Sequence, residues 1–100
     1  MTHELKIMPE YFEAVALGNK TFEVRKDDRK YNVGDTLVLQ EYSGHSLTGR
    51  EITAMVTYIL RDRNYCKDGF CILGIKIAQQ QTVKQLVVEL NARGKEIPET

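Results

Sequence analysis

The sequence predicts a small α+β domain: a mixed β-barrel of about five to six short strands with an N-terminal helix and an appended C-terminal helix. Three observations lead there. Residues 21–25 alternate strictly between apolar and polar side chains and 51–60 form the longest alternating run, residues 70–77 are almost continuously apolar, and helical spacing occurs only before Gly18 and again over 82–93. One hundred residues suffice for one hydrophobic core and one site, not for separate catalytic and regulatory units.

Residues 4–7, Glu-Leu-Lys-Ile, place Leu5 and Ile7 on one side of a short strand. Pro9 can open a helix, since the first turn does not use its missing N–H, and Glu10 and Glu13 put negative charge near the positive helix end. Phe12, Val15 and Ala16, with Tyr11 at the edge, form the apolar stripe, and Gly18 closes the last turn. The chain turns at Asn19 and Lys20 into a strand, Thr21 to Arg25. Its alternation predicts Phe22 and Val24 buried, with Thr21, Glu23 and Arg25 sharing the polar face.

The charged run from Lys26 to Lys30 and the Gly34-Asp35 turn read as a loop, followed by a strand over 36–42 and a flexible connection over 43–49. Over 51–60, Ile52, Ala54, Val56, Tyr58 and Leu60 are expected on one face of the longest strand. A loop over 61–69 leads to a central strand over 70–77, in which Gly74 marks a bulge or a close approach. Thr82 and Gln85 form a capping box ahead of Val83, Leu86, Val87 and Leu90, so a helix is expected over 82–93. Its apolar stripe needs cover from the barrel or from another chain. The division is therefore a barrel over 1–78 and a helix and tail over 79–100, packed on the barrel or at a homodimer interface.

Fourteen Lys and Arg balance fourteen Asp and Glu, which excludes a global field driving tight nonspecific binding to duplex DNA. Any nucleic-acid contact must be local. Cys66 and Cys71 lack the partners of a tetrahedral zinc site, so they read as reduced thiols, and neither a metal nor a cofactor is expected. No apolar run reaches the ~18 residues of a membrane span, and no export signal opens the chain, which together with the free thiols points to the cytoplasm.

The chemistry concentrates in Gly18-Asn19-Lys20-Thr21-Phe22-Glu23-Val24-Arg25. Lys20 is a flexible point charge suited to a phosphate, and Arg25 offers a planar fork for a phosphate or a base edge. Glu23 beside two cations can accept hydrogen bonds from an exocyclic amine or a ribose hydroxyl; alternatively, a Glu–Arg pair simply braces the barrel. His3 and Lys6, on the first strand, are expected to join the same cleft, and Tyr42 to stack on a base or to serve the core. Lys26, Arg29, Arg61, Arg63 and Lys67 are interleaved with Asp27, Asp28, Asp62 and Asp68, which reads as a solvated mixed-charge surface.

Gly18, Lys20, Glu23 and Arg25 match the GxKxxExR signature of ASCH (activating signal cointegrator homology) domains, and Tyr31-x-Val33-Gly34-Asp35 before an aliphatic strand is similar to the family's turn into its next strand. The opening His3-Glu4-Leu5-Lys6 resembles a small bacterial and phage branch. The resemblance spans residues 3–77 and implies a PUA-like barrel that binds RNA or a nucleotide in a cleft lined by the signature, with Thr21 beside it. Small ASCH amidohydrolases acting on acetylated cytidine share the Lys of the Gly-x-Lys turn. They carry a threonine nucleophile where Glu23 stands, and their helical insert has no counterpart between Leu60 and Phe70. A hydrolase acting on a modified nucleoside would have to use Glu23 as general base, Lys20 to polarise a carbonyl and Thr21 as the available hydroxyl. The third class is an interaction module dimerising through Val83, Leu86, Val87 and Leu90.

Overall fold

The computed structural model describes residues 1–81, with side chains described through Ala78. The expected helix over 82–93 and its Val83, Leu86, Val87 and Leu90 stripe lie outside the described residues.

Five strands and one helix follow in the order β1 (Thr2–Ile7), α1 (Pro9–Ala16), β2 (Phe22–Lys26), β3 (Thr36–Tyr42), β4 (Leu47–Leu60) and β5 (Phe70–Gln81). They form one mixed sheet in the order β1-β3-β4-β5-β2, with β1 parallel to β3 and the remaining pairs antiparallel. The sheet curls into a half-barrel, and its two edge strands, β1 and β2, approach each other: Arg25 Nη2 on β2 donates to the Lys6 carbonyl on β1 at 2.7 Å. Just beyond β2, Arg29 Nη1 donates to the Glu4 carbonyl at 3.0 Å. A seam bridged by side chains thus stands where a closed barrel would have backbone pairing.

The core fills the concave side. Leu37 and Leu39 of β3, Ile52, Ala54 and Val56 of β4, and Cys71 and Leu73 of β5 are fully buried. Helix α1 lies over this surface through Phe12 and Val15, with Ala16 packed at the margin. It ends as expected: Leu17 is the C-cap, Gly18 takes φ +81°, and the Gly18 and Asn19 N–H groups donate back to the Val15 and Ala14 carbonyls.

Two expected strand faces are corrected. In β4 the face holds through Val56, but Tyr58 is 64% exposed, because a register shift opposite Gly74 lets Ile59 take the next core position. At that bulge a Cβ on Gly74 would lie 3.1 Å from Thr57 Oγ1, the close approach expected of this glycine. Strand β2 has the expected period and the opposite facing. Glu23 is buried, while Phe22 and Val24 are 43% and 53% exposed. The physical reason is local pairing: a carboxylate gripped by two cations can be buried, and the alternation of β2 then turns Phe22 and Val24 to the other face.

Candidate functional site

A cavity of about 650 Å³ lies along this seam, between the β1–α1 corner and β2. Ile7, Met8, Tyr11, Phe22 and Val24 form its apolar surface, and Lys6, Asn19, Lys20, Glu23 and Arg25 supply its polar groups. The tight turn after α1 sets the Lys20 backbone, whose N–H donates to the Ala14 carbonyl, and β2 then delivers Glu23 and Arg25 on one face.

Glu23 is the centre of the arrangement. Lys20 Nζ donates to its Oε2 at 2.6 Å, and Arg25 Nε donates to its Oε1 at 3.0 Å, with Nη2 2.9 Å away. Lys20 also donates to the Phe22 carbonyl at 2.6 Å. Its ammonium stands 5.0 Å from the Phe22 ring centroid and 5.7 Å from that of Tyr11, within cation–π range of both. Both Glu23 oxygens are therefore engaged, and its side chain is 4% exposed, against 17% for Lys20 and 21% for Arg25. In this geometry the carboxylate holds the two cations in place.

Of the other expected site residues, Lys6 lines the groove, whereas His3 does not. Three residues apart on a strand, the two point to opposite faces: Lys6 is exposed and His3 is buried. His3 Nε2 donates to Asp35 Oδ2 at 2.9 Å, its ring meets Tyr31 edge-on at 4.8 Å, and the Met1 ammonium donates to Asp35 Oδ1 at 3.1 Å. The His3 hydrogen bond, assisted by the Asn32 N–H and the terminal ammonium, lowers the Asp35 carboxyl from the usual 3.8 to about 2, against the opposing effect of burial. Tyr42 does not line the groove, and Lys6 Nζ lies 4.7 Å over its ring. Gly18 and Thr21 line an adjoining hollow of about 220 Å³ with Val15, Lys20, Ile75, Lys76 and Ile77, so Lys20 borders both spaces while Thr21 does not line the groove.

Sequence reasoning missed Glu41, which is buried and paired with Arg50 Nε and Nη2 at 2.8 Å and with Thr48 at 2.6 Å. The Arg50 bonds lower its carboxyl below the usual range. Arg50 also lies 4.6 Å over the Phe12 ring and so ties α1 to the β3–β4 hairpin. Its one sequence signal is a Glu at an inward position of the 36–42 alternation. The loop charges behave as a mixed surface: Arg61 pairs with Asp27 at 2.6 Å and Arg63 with Asp68 at 3.6 Å. Among the described residues there is no cluster of three or more metal-ligating side chains, and no helix long and apolar enough to cross a membrane.

Residues 2–75 match a family described as a domain of unknown function, DUF3850. Over 66 residues the chain is 39% identical to the "Uncharacterized 12.9 kDa protein in GpA 3'region" of Escherichia phage P2, a match covering 66% of this chain and 61% of that protein. The chain thus spans about three-fifths of the curated relative's length. On the family match, which covers most of its length and all but the last part of β5, this chain belongs to the DUF3850 family.

Proposed function

We propose that this half-barrel is a PUA-like domain of the ASCH class and that it binds RNA or a nucleotide in the seam groove, in the cytoplasm and without catalysing a reaction. The observation that carries the reading is the combination in one groove of Lys20 and Arg25, fixed on a buried carboxylate, with the part-exposed Phe22, Tyr11 and Val24. Cations beside an aromatic surface are what a phosphate joined to a base requires. The four positions of the GxKxxExR signature support the same reading: three of them form this ion cluster and the fourth, Gly18, turns the chain into it.

Hydrolysis gains no support from this geometry. Both Glu23 oxygens already accept hydrogen bonds from Lys20 and Arg25, and Thr21 lines the adjoining hollow and not the groove. With charge balanced over the whole chain, binding to generic RNA is expected to be weak and salt-sensitive.

The test is a titration of the wild type, Lys20→Ala and Glu23→Ala with short single-stranded RNA and with free and acetylated nucleosides and nucleotides, with mass spectrometry of the mixtures. Saturable binding that both variants lose, with every ligand recovered intact, supports the binding module. Product formation abolished by either substitution would overturn it in favour of an enzyme.

A further inference from the structure

Counting the hydrogen-bonding groups that face the groove narrows the ligand. Three cations, Lys6, Lys20 and Arg25, line it against one carboxylate, Glu23, in a chain whose total charge is balanced. Glu23 is buried and both its oxygens are engaged by Lys20 and Arg25. An ammonium carries three N–H donors, and Lys20 commits two, to Glu23 and to the Phe22 carbonyl. Arg25 commits Nε to Glu23 and Nη2 to the Lys6 carbonyl, while among the described residues its Nη1 donors have no acceptor. Two residues lining the groove, Lys20 and Arg25, therefore retain unused donors backed by positive charge. Asn19 is the one lining side chain that adds an amide, able to donate to a base edge and accept from it.

We infer that the ligand is held by its phosphate, between Lys20 Nζ and Arg25 Nη1, that Glu23 is a positioning residue beneath them, and that unphosphorylated nucleosides are poor ligands. This rests on the nucleotide-binding reading above and deepens it. An uncharged nucleoside would leave the Lys20 and Arg25 donors without an anion in a partly desolvated groove, whereas a phosphate oxygen meets both through charge-assisted bonds. The cavity, about 650 Å³, takes a ligand of the size of one nucleotide, with its base against Phe22 and its edge toward Asn19. The phosphate can come from a free nucleotide, from the 5′ end of an RNA or from an internal phosphodiester; the chemistry is shared.

Calorimetric titrations with each common ribonucleoside 5′-monophosphate, its matched nucleoside and inorganic phosphate, on the wild type, Lys20→Ala, Arg25→Lys and Glu23→Gln, test this directly. The readout is the ratio of nucleoside Kd to nucleotide Kd within each variant, so a general loss of folded protein cancels. In the wild type the ratio is expected to be about tenfold or more. It should fall towards unity in Lys20→Ala and drop in Arg25→Lys, which keeps the charge but lacks the forked donors. Glu23→Gln should lower the ratio and steepen its dependence on salt, since the cations lose the anchor that orders them. Short RNA with and without a 5′-phosphate locates the source: a gain from the 5′-phosphate indicates a terminal group, equal binding an internal one, and both support the inference. Nucleosides binding as tightly as nucleotides would overturn it while leaving the groove a nucleoside site. No binding of any of these probes would overturn it together with the reading on which it rests.

Discussion

Asp35 illustrates how a residue that looks like turn chemistry becomes structural. It follows Gly34, and the chain folds it inward to meet His3, the Asn32 N–H and the Met1 ammonium. Its carboxyl is lowered to about 2, the His3 hydrogen bond contributing most, so the charged form is favoured in the folded state. The resulting stability is fully present above the ordinary value of 3.8 and is lost as pH falls through about 2. Asp35→Asn is therefore expected to melt at lower temperature near neutrality and to lose part of the acid-induced decline, as followed by circular dichroism; parallel acid limbs would contradict this. Burial, with a smaller contribution from Asp27, pushes the Cys71 thiol up to about 11. Native protein at about pH 8 should thus leave Cys71 unalkylated by iodoacetamide for far longer than unfolded protein does, by peptide mass mapping. Neither behaviour could be read from sequence, because His3, Asp35, Cys71 and Asp27 are brought together only by strand pairing.

At the scale of elements, the sequence was most legible where one physical cause dominates. Helix α1 shows its stripe, its opening proline and its closing glycine, and the structure follows each. Phe12 is wholly buried between the sheet and Arg50, so Phe12→Ala should cost about 3–5 kcal/mol in urea unfolding, whereas Tyr11→Ala, at a half-exposed position, should cost far less. A similar cost for both would mean that the helix does not dock through Phe12. Strand β2 shows where legibility ends. Its period was readable and its facing was not, because hydrophobicity alone turns Phe22 and Val24 inward, while the buried Lys20–Glu23–Arg25 cluster reverses the choice. The motif's Lys20 and Arg25 line one groove with Lys6, Glu23 pairs with Lys20 and Arg25, and His3 belongs to another cluster. In β4, Tyr58 left the expected face because a bulge, which no alternation pattern encodes, intervenes.

For the molecule as a whole, the decisive feature is a sheet that curls without closing. Strands β1 and β2 are the two edges of the order β1-β3-β4-β5-β2, far apart in pairing and near in space, and Arg25 and Arg29 span the seam to the β1 carbonyls. Edge groups that would invite another strand are thereby occupied by side chains. Arg25 belongs both to the seam and to the ion cluster, so the proposed binding site and the seam share a residue. Saturating nucleotide is accordingly expected to slow hydrogen exchange along β1 and β2 more than along β3 and β4, and uniform protection would argue against that coupling.

The most direct measurement of the central claim is a two-dimensional ¹⁵N NMR titration of the full chain with a ribonucleoside 5′-monophosphate. Shift changes are expected to gather on Lys6, Tyr11, Lys20, Phe22 and Arg25, around the seam groove. Changes centred instead on the 61–69 loop or on the exposed Met55 and Tyr58 of β4, or no changes at all, would contradict it.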